Sequence, residues 1–116
     1  MSRKLSKKCK LKRMQTHVHE FEGSTKLAEQ GNDRHNHRFA GVTSQVIRTG
    51  RTHVHEIVFT HTDFLDHFHN LKKIRTGPAI PVGNGKHVHF VTGSTTLNDE
   101  HRHQFNFATL IQQPLV

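Results

Sequence analysis

The sequence predicts an all-β fold: about six antiparallel strands, organised as three degenerate two-strand repeats in a meander or a small barrel or prism, with histidine combs turned inward. Three observations predict it. Twelve of the 13 histidines fall in six His-x-His pairs spread along the chain. Turn signals built on glycine and asparagine separate the pairs. Finally, the residues that share strand parity with the histidines are apolar in every segment. Positions i and i+2 of a strand lie on one face, so a histidine that continues an apolar face points toward the interior or its rim.

The first strand carries His17/His19 and runs on that face into Phe21; the second carries His35/His37 and runs into Phe39. The third carries His53/His55, followed by Ile57 and Phe59, and the fourth carries His67/His69, followed by Leu71. The fifth has His87/His89 and then Val91; the sixth has His101/His103 and then Phe105 and Phe107. Only His61 stands outside the pairs. The opposite face is mixed: Glu20, Glu22, Arg38, Glu56, Asn70, Arg102, Gln104 and Asn106 are polar, whereas Val54, Phe68, Val88 and Phe90 are not.

Two classes of pair alternate. The odd ones read Thr16-His-Val-His-Glu, Thr52-His-Val-His-Glu and Lys86-His-Val-His-Phe, and the even ones follow Asp33, Asp66 and Asp99. Alternate pairs recur every 32 to 36 residues, so a two-strand unit appears three times. Thr49-Gly50 and Asn84-Gly85 are hairpin-type connections before the third and fifth strands. Gly31-Asn32-Asp33 and Asn98-Asp99 punctuate the way into the second and sixth. Pro78 and Pro81 make their segment an edge strand or an irregular link, because proline has no N–H for a ladder. Helical periodicity is confined to one turn over Lys26 to Gln30.

At 116 residues and 32% hydrophobic, with no Trp or Tyr, the chain is one small domain with a thin core. Such domains commonly need a metal, a disulfide or a partner subunit. The single cysteine, Cys9, excludes an internal disulfide. The formal charge of +8 is concentrated in residues 1–14, where Arg3, Lys4, Lys7, Lys8, Lys10, Lys12 and Arg13 stand without an acid. Residues 15–116, the histidine-rich β-repeat domain, are close to neutral. A basic arm of this kind suits nucleic acid, an anionic surface or an acidic groove on a neighbouring subunit. The body has almost no net charge to track phosphates, so nucleic-acid binding rests on the arm alone. No apolar run approaches membrane-spanning length and the basic start lacks the apolar stretch of a signal peptide, so no membrane insertion and a cytoplasmic location are expected.

Imidazole is the commonest protein ligand for transition metals, and the pairs are two-toothed combs of it. Two registers suit the pattern. Folding back about residue 95 sets His87 opposite His103 and His89 opposite His101; folding about residue 61 sets His53 opposite His69 and His55 opposite His67. Directly opposed strand residues have Cβ atoms about 4.5–5.5 Å apart, within reach of one bridging ion. The turns at Thr49-Gly50 and Asn84-Gly85 would instead pair each odd strand with the preceding even one. Thirteen histidines are therefore candidate metal ligands: His17, His19, His35, His37, His53, His55, His61, His67, His69, His87, His89, His101 and His103. Asp33, Asp63, Asp66 and Asp99 are candidate supports or ligands, since ligating histidines commonly give their other ring N–H to a carboxylate. Zinc, copper or nickel suits an imidazole set without thiolates.

Catalytic signals are sparse: there is no nucleophile elbow and no phosphate-binding glycine loop. Gly83-Asn-Gly-Lys-His-Val-His89 is similar to the first motif of cupin barrels, but cupins use one such comb and a distant histidine. More of the chain resembles the YmaF family of small histidine-rich bacterial proteins. The residues that carry this are Thr16-His-Val-His-Glu-Phe-Glu-Gly-Ser-Thr-Lys-Leu-Ala-Glu, Asp33-Arg-His-Asn-His-Arg-Phe-Ala-Gly-Val-Thr, Thr76-Gly-Pro-Ala-Ile, Gly83-Asn-Gly-Lys-His-Val-His-Phe and Phe107-Ala-Thr-Leu-Ile. The similarity runs from about Gln15 to Pro114 and leaves out the basic arm. It brings no activity and no catalytic residue.

The expected function is non-enzymatic transition-metal binding for storage, sequestration or structural stapling. The alternatives are a self-assembling protein, in which histidine ladders and edge strands join subunits into an oligomer or filament, and a small metalloenzyme. A third reading of the histidines is a pH switch, in which packed imidazoles charge together and repel.

Overall fold

A computed structural model describes residues 15–114 of the chain. The basic arm and Cys9 lie outside the described residues. Ten strands follow one another: β1 (Val18–Ser24), β2 (Arg38–Val42), β3 (Ile47–Thr49), β4 (Thr52–Val54), β5 (Glu56–His61), β6 (Asn70–Arg75), β7 (Ala79–Gly83), β8 (Lys86–Ser94), β9 (Gln104–Ala108) and β10 (Gln112–Gln113). All pairings are antiparallel. Among the described residues no helix is long and apolar enough to cross a membrane.

Three hairpins form the body: β1 with β2, β5 with β6, and β8 with β9. Their neighbours meet cyclically, β2 against β5, β6 against β8 and β9 against β1. This is the threefold repetition expected from the pairs, with β4 and β5 together forming the third predicted strand. The predicted barrel does not close, because adjacent hairpins share no ladder. They are joined instead by single backbone hydrogen bonds, three at each end of the body. At one end Ser44 N–H donates to Glu56 O, Gly77 to Phe90 O and Leu110 to Glu20 O, each at 2.8–2.9 Å. At the other, Lys26 N–H donates to Gln104 O, Asp63 to Arg38 O and Thr96 to Asn70 O, again at 2.8–2.9 Å.

Three short strands add to the prediction. Each follows the even strand of one unit and pairs with the odd strand of the next: β3 with β4, β7 with β8, and β10 back onto β1. The last of these returns the chain to its beginning, so the first unit is completed by the C-terminal segment. The turns expected at Thr49-Gly50 and Asn84-Gly85 connect β3 to β4 and β7 to β8. Asn84 and Gly85 both have positive φ (54° and 73°), as a two-residue hairpin turn of type I′ requires. The partner supplied by each turn is thus an accessory strand, not the preceding even strand. The proline segment, β7, is an edge strand as expected.

The core matches the parity reading closely. Phe21, Phe39, Ile57, Leu71, Val91 and Phe105 are its buried apolar residues, with Ile74 and Phe107 packed against them. Glycine makes room for the aromatic rings: at Gly41, paired with Phe21 across the strands, an added Cβ would stand 2.8 Å from Phe21 Cζ and 2.6 Å from Thr60 Oγ1. Two expectations fail locally. Phe59 is 57% exposed, because β5 and β6 each carry one more residue between the second histidine and the buried threonine than the other hairpin strands do. Val58 and Lys73 drop out of the ladder there, Lys73 takes a left-handed φ of 55°, and the inward parity shifts by one. The helical turn over Lys26 to Gln30 is extended chain bridged at Ala28 to His35, and the only helical turn among the described residues is the 3-10 turn at Gly31–Asp33.

Candidate metal centres

Each hairpin strand has its histidine pair at its start and is followed, one strand-length later, by a buried threonine. The second histidine of every pair faces that threonine across the hairpin: His19 faces Thr43, His37 Thr25, His55 Thr76, His69 Thr62, His89 Thr109 and His103 Thr95. The histidine N–H donates to the threonine Oγ1 at 2.9–3.1 Å. The threonine N–H donates to the histidine carbonyl at 2.8–2.9 Å. Histidine therefore opposes threonine, not histidine, and both halves of the predicted His87/His103, His89/His101, His53/His69 and His55/His67 register are overturned. The hairpins turn further along than residues 61 and 95, as Ser94 opposite Gln104 and His61 opposite Asn70 show.

This register sorts the histidines by class. Odd strands all begin at one end of the body and even strands at the other, about 20 Å away by strand rise. His17, His19, His53, His55, His87 and His89 gather at the first end, and His35, His37, His67, His69, His101 and His103 at the second. In each group one ring nitrogen from all six residues lies within 4.8 Å of the other five. The first histidine of each pair forms an outer triangle and the second, essentially fully buried, an inner one. His61 joins neither group; its ring hydrogen-bonds the Thr62 carbonyl and meets Phe68 edge-on.

The rings do not stack. Within both groups their planes cross at 58–88°, so they radiate from a common point with Nε2 innermost. In the first group the Nε2 atoms of His17, His53 and His87 are 3.1–3.2 Å apart, and His19 to His87 and His89 to His53 are 3.0 and 3.2 Å. In the second, His35 lies 3.1–3.3 Å from His67, His101 and His103, and His37 to His67 and His69 to His101 are both 3.2 Å. An octahedron with edges of 3.0–3.3 Å has its centre about 2.2 Å from each vertex (edge divided by √2), near the metal–imidazole length.

The outward nitrogens fix the tautomers. Each inner ring gives Nδ1–H to the carbonyl that follows a buried threonine of the neighbouring hairpin. His19 reaches Leu110, His55 Ser44, His89 Gly77, His69 Thr96 and His103 Lys26 at 2.8–3.0 Å, and His37 reaches Asp63 at 3.2 Å. At the second end the outer rings are held in the same way. His35 Nδ1 donates to Asp33 O at 2.6 Å, His101 to Asp99 O at 3.0 Å and His67 to the Asp66 carboxylate at 2.5 Å. All six Nδ1 atoms of that group are donors to oxygen, so in neutral rings all six Nε2 atoms are lone pairs facing one another. In the first group His55 Nε2 is buried with no hydrogen-bond partner.

Burial, helped by repulsion among the rings, favours the neutral form of nine of them. It pushes His19 down to about 3 and His17, His53, His55 and His69 to about 4. His37, His87, His89 and His103 are lowered for the same first reason. The predicted acids divide. Asp63 and Asp66 bond candidate ligand rings, His37 and His67, through their carboxylates. The Asp99 carboxylate is 3.6 Å from His67 Nδ1, and Asp33 contributes its backbone carbonyl. Sequence reasoning did not find Glu29, whose carboxylate is 3.3 Å from His101 Nδ1. Nor did it find the six buried threonines, although they recur six residues after the second histidine in four strands and seven in β5 and β6.

Residues 14–111 match the family model described as "YmaF: Spore germination protein GerY/YamF". No curated protein and no solved structure matches the chain.

Proposed function

We propose that this chain, which belongs to the YmaF family, is a non-enzymatic transition-metal-binding protein that holds one divalent ion at each end of its three-hairpin body, each in a cage of six imidazoles. The observation that carries the reading is the convergence of six Nε2 lone pairs in the His35 group, every Nδ1–H being committed to an oxygen. Neutral rings so arranged repel; a central cation turns each contact into a bond. The orphaned Nε2 of His55 supports the same reading at the other end.

Six nitrogen donors favour an ion that accepts six-coordination. Of zinc, copper and nickel, this selects nickel(II), with iron(II) a further imidazole-compatible ion; zinc prefers four ligands and copper(II) a tetragonal field. Each cage draws two rings from each of three hairpins, so an ion staples all three where the hydrophobic core is thin. A six-imidazole shell leaves no open position for a substrate, which supports stapling, storage or sequestration over catalysis. The family's description names spore germination, and a metal-stapled protein serving that process is the setting we propose.

The test is metal content of untagged protein by mass spectrometry, on material sized by in-line light scattering. Two ions per chain are expected, and the double substitution H55A/H89A should remove one of them. A folded protein that carries no ion and takes none up on titration would overturn the reading.

A second reading, self-association, is favoured by one feature. The loop between β5 and β6 exposes Phe64 (69%) and Leu65 (63%), with the Phe68 ring 6.1 Å from that of Phe64, and exposed apolar patches of this kind mark interaction sites. If that patch joins copies of the chain, F64S/L65S should reduce the mass in solution, and chelation should leave it unchanged.

A further inference from the structure

The two cages are built from the same repeated motif but are not equivalent, and we infer that the His35 cage is the tight, first-filled site, with Asp66, Asp99 and Glu29 as its positioning residues. This rests on the metal reading above and adds an order of affinity to it. At the His35 end every outer ring has a fixed outward bond. His67 Nδ1 meets Asp66 at 2.5 Å with Asp99 3.6 Å away, His101 meets the Asp99 carbonyl at 3.0 Å and Glu29 at 3.3 Å, and His35 meets the Asp33 carbonyl at 2.6 Å. Above these rings opens a cavity of about 330 Å³ lined by Glu29, Asp33, Asp66, Asp99 and Glu100.

At the His17 end the inner rings are held by carbonyls just as well, but the outer ones are not. Among the described residues no oxygen accepts from the Nδ1 atoms of His17, His53 or His87; the ring contacts of these residues run through Nε2, to one another and to inner rings. Arg48 stands opposite His53 in the β3–β4 ladder, and its positive charge acts on that ring.

Chemistry gives the difference its sign. A carboxylate that accepts a ligand's outer N–H fixes the ring's rotation and tautomer, raises the basicity of the metal-facing nitrogen and offsets part of the ion's charge. Over the outer rings of the His35 cage the Asp66 carboxylate does this directly, with the Asp99 and Glu29 carboxylates 3.6 and 3.3 Å from the Nδ1 atoms of His67 and His101; among the described residues no carboxylate stands so over the His17 cage. An ion entering the first meets negative potential at the mouth and preset rings. An ion entering the second must order three outer rings beside positive charge.

The experiment is a titration of the full, ion-free chain with Ni²⁺ in competition with a chelator, followed by calorimetry and by circular dichroism to confirm folding. Two steps at least tenfold apart are expected. Because Asp66 and Asp99 are exposed, D66N/D99N should keep the parent circular dichroism spectrum, and it should weaken the tight step about 10–100-fold while leaving the weak one in place. H53A should erase the weak step and spare the tight one. Equal steps in the parent chain, equal weakening of both steps in D66N/D99N, or loss of the tight step in H53A would each overturn the ordering. A parent chain that binds no Ni²⁺ would instead overturn the metal reading beneath it.

Discussion

Acidification should unfold the ion-free protein well above the pH at which its carboxylates titrate. His19, His55 and His69 are fully buried, with folded-state values pushed to about 3, 4 and 4 from an ordinary 6.5. In the unfolded chain these rings take up protons as the pH falls through about 6.5, whereas in the folded chain they stay neutral until far lower. Unfolding therefore gains protons across that window, and stability that is complete above about pH 6.5 is lost as pH falls toward 4. Each ring contributes up to about 1.4 kcal/mol per pH unit once the pH is below its unfolded value, so between about pH 6.5 and 5 these three alone remove roughly 5 kcal/mol. That is comparable to the whole stability of a small domain, about 5–15 kcal/mol. The lowered values of His37, His87, His89 and His103 act in the same direction. The assay is urea denaturation of chelator-treated protein followed by circular dichroism at about pH 7.5, 6.5, 5.5 and 5. The midpoint should collapse below 6.5, with at least two to three protons taken up per molecule unfolded. A flat profile, or a midpoint that rises on acidification, would refute the picture of neutral converging rings.

Three further outcomes follow from the geometry. Thr95→Val keeps the shape but removes the acceptor of the His103 N–H, and should cost about 1–3 kcal/mol in urea denaturation with an unchanged slope. Gly41→Ala forces a Cβ against Phe21 and Thr60 and should cost about 1–3 kcal/mol by overpacking, visible as a lower melting temperature with wild-type metal stoichiometry. Deleting residues 1–14 should abolish any nucleic-acid binding together with its steep salt dependence, because the positive charge sits there; retained binding in a filter or anisotropy assay would show that the body is responsible.

The core was legible because it obeys a period of two. Phe21, Phe39, Ile57, Leu71, Val91 and Phe105 are each two residues beyond the second histidine of a pair, and all six are buried. The twelve paired histidines were legible for the same reason. Their grouping was not, because a period says which face a residue takes and not which residue it opposes. Register depends on where a hairpin turns, and these turns lie in long connections such as Lys26 to Arg34 that carry no short-loop signature. The threonines held the missing information. A strand that starts with histidine and ends with threonine can pair with its antiparallel copy only head to tail, and only then does each histidine N–H find the threonine hydroxyl. Phe59 escaped because one added residue in each of β5 and β6 shifts parity, which a strict alternation cannot express.

That head-to-tail rule also explains why there are two cages and not three or six. One hairpin places one histidine comb at each of its ends, because its strands run in opposite directions. Three hairpins around an axis therefore bring three combs, six imidazoles, to each end, which matches the coordination number of an octahedral ion. Two hairpins would bring four rings, a set suited to zinc. The number of repeats thus fixes the number of donors, and the loops beyond each end adjust how those donors are held. At the even end Asp33, Asp66 and Asp99 stand immediately before or two residues before their pairs, and these supply carbonyls and a carboxylate to the outer rings. At the odd end Thr16, Thr52 and Lys86 precede the pairs and leave those rings to one another. On the proposed reading, the same fold would in this way carry two ions of different affinity on one repeated motif, with the difference written in the residue class that precedes each pair.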